Sequence, residues 1–373
     1  MIKLGIIGFG GMAHWHAENS VKTGVVEIVA AYDLDPDRLA EATERGWRAY
    51  ADLESFLTDD EVEVVLIATP NHVHRYMATM AMRAGKHVIC EKPVTLSVKD
   101  LDEMIRVSQE TGRVFTIHQN RRWDRDYRIA RKAIETGMVG RPISIESRVV
   151  GSNGIVHGWR GIREYGGGMV YDWGVHIIDQ ILDMYPDKKI TSVFCRTNSI
   201  FNMDVDDYDK IVLTFEDGMV AQLEVNMYSM EPMPRWYVVG NHGTLKIEGW
   251  DCQGSVTQSA TLAHTVAPVI VQTEAGPTRS MAPQPDSTKK HLPLPEVETS
   301  WLDFYRNVND VIEGKAELIV KPEQARRVLR VIELCFESAA GNTCVNFKLK
   351  KGLTYKTQQS ILSIQRTYYL IFY

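Results

Sequence analysis

Met1-Ile-Lys-Leu-Gly-Ile-Ile-Gly8-Phe-Gly10-Gly-Met-Ala13 opens the chain. The apolar run Leu4–Ile7 predicts a strand, and the glycines that follow predict a tight turn into a helix. A second apolar run, Val26–Tyr32, ends at Asp33, which lies 20 residues after Ala13. Strand, Gly-x-Gly-x-x-Ala, helix, strand and acid, in that order, form a dinucleotide-binding fingerprint. Gly8 permits the turn and Gly10 lets the backbone approach a pyrophosphate. Ala13 keeps the helix close to the strand. Free N–H groups at the helix start would face the anion, which adds Phe9, Gly11 and Met12 to the candidate cofactor contacts.

Asp33 refines the cofactor. A carboxylate at that strand end accepts hydrogen bonds from ribose hydroxyls and repels a 2′-phosphate, so NAD is expected over NADP. Arg38 is nearby but falls within the next helix. Asp35, just before Pro36, fits the helix cap and leaves Asp33 for the ribose.

The first 120 residues continue this alternation. Apolar runs at 4–7, 25–31, 62–68, 86–90 and 113–117 are separated by helical patterns near 12–22, 36–45, 72–84 and 97–111. Gly85 and Gly112 sit at expected helix ends, and Ser97-Val-Lys-Asp100 reads as a helix cap. The pattern predicts a parallel sheet with helices on both faces, and ligands beyond the strand C-terminal ends. After Asp124 the pattern changes. A helix near 125–136 precedes strand candidates at 143–150, 191–196, 210–215 and 219–227. In the last of these Ala221, Leu223, Val225 and Met227 alternate with Gln222, Glu224 and Asn226, which predicts a sheet with one buried face. Residues 252–298, rich in Ser, Thr and Pro, read as a long loop. Helices are expected near 299–313 and 322–339. The aromatic stretch 361–373 is too short for a membrane span.

The 373 residues suggest two domains, 1–122 and 123–350, with 351–373 as an atypical tail. A net charge of −6 argues against a general nucleic-acid surface. Five scattered cysteines form no disulfide or zinc pattern. The chain starts on a strand, without a signal-peptide pattern, so a cytoplasmic location is expected and no membrane partner.

Two motifs carry candidate chemistry. Glu91-Lys92-Pro93 follows an apolar strand, so Lys92 is expected in the ligand crevice, and Pro93 is a candidate for a cis peptide. Gly166-Gly-Gly-Met-Val-Tyr-Asp172-Trp-Gly-Val-His176 places an acid and an imidazole four apart, on one face if helical. A neutral histidine can take a hydroxyl proton near pH 7, and a nearby acid can orient it. The alternative is a capping Asp172 and a core His176. His14-Trp-His16 and His72-Val-His74 split across helix faces, so no metal site is expected. No Gly-x-Ser-x-Gly elbow supports a serine hydrolase.

Together these motifs resemble the Gfo/Idh/MocA oxidoreductases, the family of glucose–fructose oxidoreductase and the inositol dehydrogenases. The resemblance spans about residues 1–345. It rests on Gly8–Ala13, Ala68-Thr-Pro-Asn71-His-Val-His74, Glu91–Pro93, Gln119-Asn-Arg-Arg-Trp123 and Gly166–His176. It implies a Rossmann domain followed by an α+β domain built on a large, mostly antiparallel open sheet. The open face implies a homo-oligomer, dimer or tetramer. By resemblance Lys92 touches the nicotinamide ribose and the substrate hydroxyl, His176 is the acid/base and Asp172 its acidic partner. Thr69, Pro70, Asn71 and His74 follow the cofactor, with Glu91 beside them and Asn120 near the nicotinamide. The long 252–298 segment and the aromatic tail depart from the family pattern.

The implied activity is oxidation of a secondary hydroxyl of a sugar, glycoside or cyclic polyol to a ketone by NAD, with no metal. Arg122, Trp123, Tyr127, Asn153, His157 and Tyr171 are candidate substrate walls. Trp159 and Arg160 are placed where they could also reach the cofactor. The aromatics and the long loop suggest an open mouth, as a glycoside 3-dehydrogenase would need. The alternatives are a non-sugar substrate on the same fold, or a non-catalytic NAD-binding regulator.

Overall fold

The computed structural model describes residues 1–152, 157–260, 270–279 and 286–347. Asn153, parts of 252–298 and the aromatic C-terminal stretch lie outside the described residues. The first sheet is built from β1 (Ile2–Ile7), β2 (Val26–Tyr32), β3 (Arg48–Tyr50), β4 (Val64–Ile67), β5 (His87–Cys90) and β6 (Phe115–Ile117). Its order is β3-β2-β1-β4-β5-β6, and every pairing is parallel. The strands read as continuous apolar runs because helices cover both faces, and Leu4, Ile6, Val65 and Leu66 are fully buried. The helices are α1 (Gly11–Ser20), α2 (Pro36–Glu44), α3 (Leu53–Leu57), α4 (His74–Arg83) and α5 (Val98–Thr111). Strand β3 and helix α3 leave no periodic signal in the sequence, since three and five residues are too few to show one.

Register fixes the site. Ile7 pairs with Tyr32 and Ile67, Ile67 with Cys90, and Cys90 with Ile117. The five strands therefore end level, and Gly8, Asp33, Ala68, Glu91 and His118 emerge along one rim. The chain order reverses between β1 and β4, which opens a crevice there.

Helix α6 (Arg125–Glu135) leads into a nine-stranded sheet. Its strands are β7 (Pro142–Val150), β8 (Ile190–Asn198), β9 (Tyr208–Phe215), β10 (Val220–Asn226), β11 (Trp236–Gly240), β12 (Gly243–Ile247), β13 (Gly254–Ser259), β16 (Lys289–Leu292) and β17 (Val345–Asn346). A small hairpin, β14 (Ile270–Thr273) and β15 (Gly276–Arg279), stands apart. Among the described residues of this nine-stranded sheet, only β7 and β10 pair in parallel. Ala221, Leu223 and Val225 face the core, as their alternation predicts. Glu224, on the other face, is also buried, with Lys210 at 3.4 Å and Arg148 at 3.8 Å from its carboxylate. Helices α7 (Val175–Met184) and α9 (Pro322–Gly341) cover the inner face, and α8 (Leu302–Ile312) lies against α1.

The segment 252–298 corrects the sequence reading. It is not one long loop, because β13 and β16 pair with each other and extend the sheet. Among its Gly, Ser, Thr and Gln neighbours, Val256 alone on β13 is fully buried, so the strand carried almost no apolar signal. No helix among the described residues is long and apolar enough to cross a membrane.

Candidate active site

A cleft of about 790 Å³ runs along the rim of the first sheet and is lined on its far side by residues of the second part of the chain, between Trp159 and His176. At one end it is lined by Gly8, Gly10, Gly11 and Met12, with Tyr32, Asp33 and Leu34 beyond them. Gly8 has φ +86°, and a Cβ there would meet Thr69 at 2.8 Å. Cβ atoms on Gly10 and Gly11 would meet nothing within 4 Å, so these glycines leave open space at the start of α1. That space, at a helix N-terminus, suits a pyrophosphate. Phe9 contributes its backbone: its N–H donates to Asp33 Oδ2 at 2.6 Å while its ring is buried against His14. Asp33 Oδ1 accepts from Asp35 N at 2.9 Å, and Asp35 caps α2 through Asp37 N at 3.0 Å. Arg38 does not line the cleft and lies 3.5 Å from Glu41.

Thr69, Pro70 and Asn71 line the middle of the cleft. His74 does not. It is fully buried and bridges two loops, with Nδ1 3.0 Å from the Pro93 carbonyl and Nε2 2.9 Å from that of Thr69. Asn71 Nδ2 donates to the Gly166 carbonyl at 2.8 Å, tying the two halves of the chain together.

Lys92, Asp172 and His176 all line the other end, with Asn120, Trp159 and Arg160. The Lys92–Pro93 peptide is cis. Lys92 Nζ donates to the Asp172 carbonyl at 2.8 Å and to its Oδ1 at 3.0 Å. Arg160 Nε reaches the same Oδ1 at 3.3 Å. Burial opposes ionisation of Asp172, but Lys92 and Arg160 outweigh it and hold the carboxyl below its usual pKa. Burial pushes His176 well below the usual histidine value, and the Lys92 and Arg121 cations push the same way. The imidazole is therefore neutral at pH 7. Asp172 and His176 do not share one regular α-helix: residues 170–174 form a π-helical turn, and α7 starts at Val175. Such wide turns recur at functional sites.

Several expected wall residues lie elsewhere. Arg122 is 2% exposed and grips Asp179 through two bonds of 2.7 and 2.6 Å. Trp123 packs on Phe304, and Tyr127 is fully buried with its hydroxyl on Asp183. Tyr171 points away, donating to the Leu96 carbonyl at 3.1 Å. His157 is exposed outside the cleft lining. In their place the structure supplies Arg121, Trp173 and Tyr165. Arg121 lies 4.1 Å over the Trp173 ring, and Tyr165 stacks on His72 at 4.5 Å. Arg121 and Trp173 sit inside motifs already singled out, but which neighbour in a short turn faces the cleft is not written in residue type.

A parallel sheet with a glycine turn at its switch point, opening into a cleft with a lysine, a carboxylate and a neutral imidazole, defines an oxidoreductase with an NAD(P)-binding Rossmann fold. The chain belongs to the Gfo/Idh/MocA family: residues 2–119 match the oxidoreductase family, NAD-binding Rossmann fold, and residues 127–246 the GFO/IDH/MocA C-terminal domain. It resembles the crystal structure of an NAD-binding protein from Listeria innocua, with 38% identity, TM-score 0.88, and coverage of 93% of this chain and 99% of that one. It is 28% identical over 341 residues to an uncharacterized oxidoreductase of Schizosaccharomyces pombe, covering 86% of this chain and 91% of the relative. It is also 28% identical over 357 residues to the scyllo-inositol 2-dehydrogenase (NADP(+)) IolW of Bacillus subtilis, covering 91% and 94%.

Proposed function

We propose that the protein oxidises a secondary hydroxyl of a cyclic polyol, sugar or glycoside to a ketone with NAD. In this reading residues 1–122 form the cofactor half and those from 123 on the substrate half. The observation that carries it is the meeting of Lys92, Asp172 and neutral His176 in one cleft with the glycine turn. When bound, the nicotinamide supplies the acceptor for the hydride. Lys92 donates a hydrogen bond to the substrate oxygen and stabilises the alkoxide as it forms. His176, uncharged and buried, takes the hydroxyl proton. Asp172 fixes the Lys92 ammonium and offers its carboxylate to a neighbouring hydroxyl. Trp159, Tyr165 and Trp173 give flat apolar faces to a ring, and Arg121 and Arg160 give donors to its hydroxyls.

NAD is favoured because Asp33 holds a carboxylate at the ribose end, while Arg38 is engaged with Glu41. The Bacillus subtilis relative is named for NADP, so the choice is tested directly. Self-association through the outer face of the nine-stranded sheet belongs to the same reading and is checked by light scattering. The deciding experiment follows reduced nicotinamide absorbance over a panel of cyclitols, free sugars and glycosides with each cofactor. Turnover of at least one polyol, faster with NAD, is expected. Tight NAD binding with no turnover across the panel would overturn the proposal.

A further inference from the structure

The turn that carries Lys92 is anchored by a carboxylate that is buried and yet reaches the cleft lining. Glu91 is 5% exposed, and its Oε1 lies 2.7 Å from His16 Nε2 and 2.8 Å from His118 Nδ1. Its Oε2 accepts from the Lys92 backbone N–H at 3.1 Å. An ionised carboxylate only accepts, so both imidazole nitrogens facing it carry protons. Burial opposes the Glu91 charge, yet the two histidines hold its pKa well below the usual value. His16, neutral because burial lowers its pKa to about 4, then has a bare Nδ1, which takes the hydroxyl proton of Tyr305 as a hydrogen bond. His16 and Tyr305 are fully buried and His118 nearly so.

These groups come from elements far apart in the chain. His16 sits on α1, whose first turn lines the cleft. His118 follows β6, just before the cleft-lining Asn120 and Arg121. Tyr305 is on α8. One carboxylate thus joins three segments of the cleft wall and a helix from the other half of the molecule. The three ligand-type atoms lie within 4.8 Å of one another, a spacing that a cation site also shows. The short separations of 2.7 and 2.8 Å favour hydrogen bonds. Two ligands of a tetrahedral metal at about 2.0 Å would stand about 3.3 Å apart.

We propose that His16, His118 and Tyr305 are positioning residues that act through ionised Glu91 to fix the direction of Lys92. The proposal rests on the reading of Lys92 as the hydroxyl-binding residue. The Glu91 charge also reaches His176. The groups around it are His16 from α1, His74 from α4, Cys90 and Lys92 from its own strand and turn, His118 after β6, His176 from α7 and Tyr305 from α8. Glu91 raises the pKa of His176 against burial and its cationic neighbours. Loss of that charge moves the acid limb of activity to lower pH.

The test compares Glu91→Gln, His118→Gln, His118→Leu and Tyr305→Phe in the full chain. Glu91→Gln is expected to lower kcat about 10²-fold, the scale of a misplaced catalytic group. Its acid limb moves down. His118→Gln keeps an N–H donor and recovers most of what His118→Leu loses, and Tyr305→Phe gives the mildest loss. A fall in Tm with kcat per folded molecule and pH profile unchanged would reduce the cluster to scaffold and overturn the proposal. Stoichiometric divalent metal in the purified protein, whose removal mimics the variants, would overturn it too. A crystal structure of Glu91→Gln reads the proposal without turnover: Lys92 Nζ should leave Asp172, and an unmoved Nζ refutes it. Absence of polyol turnover in wild type would count against the functional reading alone.

Discussion

Lys92 Nζ bridges 80 positions of sequence to reach both the carbonyl and the carboxylate of Asp172, at 2.8 and 3.0 Å. The ammonium joins the strand rim of the first sheet to the π-helical turn before α7. A substrate oxygen entering the cleft would meet a donor already aimed and already balanced by a carboxylate. Lys92→Met is therefore expected to lower kcat by about 10²–10³-fold, the usual loss for a donor that stabilises developing negative charge. NADH affinity, followed by fluorescence titration, should change little. Asp172→Asn keeps the shape, loses the charge, and should cost less. An unaltered kcat in Lys92→Met removes that residue from the mechanism.

The pH profile follows from the burial of His176. Its pKa lies well below the ordinary 6.5, first because of burial and then because of Lys92 and Arg121. In the proposed mechanism the free base is the competent form, so kcat/KM should stay flat as pH falls through 6.5 and drop only at lower pH. Removing a neighbouring cation raises the histidine pKa. The residual activity of Lys92→Met should then show an acid limb moved to higher pH. A limb at the ordinary histidine value in wild type would contradict the buried, neutral base.

Much of this arrangement is legible in the chain itself. Each strand of the first sheet except β3 announces itself as an apolar run, and each run ends in Gly, Asp, Thr-Pro, Glu-Lys or His-Gln. Periodicity fixes such elements because burial on both faces leaves little choice of residue. What escapes is orientation within short turns. Arg121, Arg122 and Trp123 are consecutive in one 3₁₀ turn, yet Arg121 meets the cleft while Arg122 and Trp123 turn into the core. All three have plausible chemistry for a sugar site, and only the packing of α7 and α8 sorts them. His16 escaped for a related reason: its partners Glu91, His118 and Tyr305 lie 75 or more residues away.

The glycine turn separates fold from binding. Gly8, at φ +86°, has Thr69 and Ala68 within 3.1 Å of any added Cβ. Gly8→Ala should lower Tm, since a strained backbone and a close contact combine. Gly10 has no neighbour within 4 Å of that position. Gly10→Ala should leave Tm nearly unchanged but weaken NADH binding by about tenfold or more, as the methyl group enters the space a pyrophosphate needs. Equal affinity in Gly10→Ala and wild type would place the dinucleotide elsewhere.

Asp209 is fully buried, and its carboxyl lies against that of Asp206, close enough for a side-chain hydrogen bond when one of the two holds a proton. Burial, and then the adjoining Asp206, raise its pKa well above 3.8. Asp206 itself accepts from Val170 N at 2.7 Å, at the start of the π-helical turn that carries Asp172. The folded state keeps a proton on Asp209 that the unfolded chain releases above 3.8. Stability is therefore lost as pH rises from there toward the folded pKa, at up to about 1.4 kcal/mol per pH unit. Asp209→Asn supplies a neutral donor of the same shape. It should raise Tm near pH 8 and raise it less near pH 5, by differential scanning calorimetry. A gain independent of pH would mean Asp209 is ionised in the fold.

Arg122 provides the contrast between a wall residue and a core ion pair. Its guanidinium holds Asp179 in a two-bond fork and lies 3.0 Å from Asp183, with Gln324 at 2.9 Å. Asp179 is 2% exposed, so truncating the arginine strands a charge with no water to receive it. Arg122→Ala should destabilise the fold by about 3–5 kcal/mol, measured from urea midpoints, while KM per folded molecule stays at the wild-type value. Arg122→Lys keeps a charge but loses the fork, and should fall between the two. If Arg122 touched substrate, KM would rise in both variants whatever their stability. Arg121→Ala, one position earlier, is the matched control: it lines the cleft, so its effect should appear in KM.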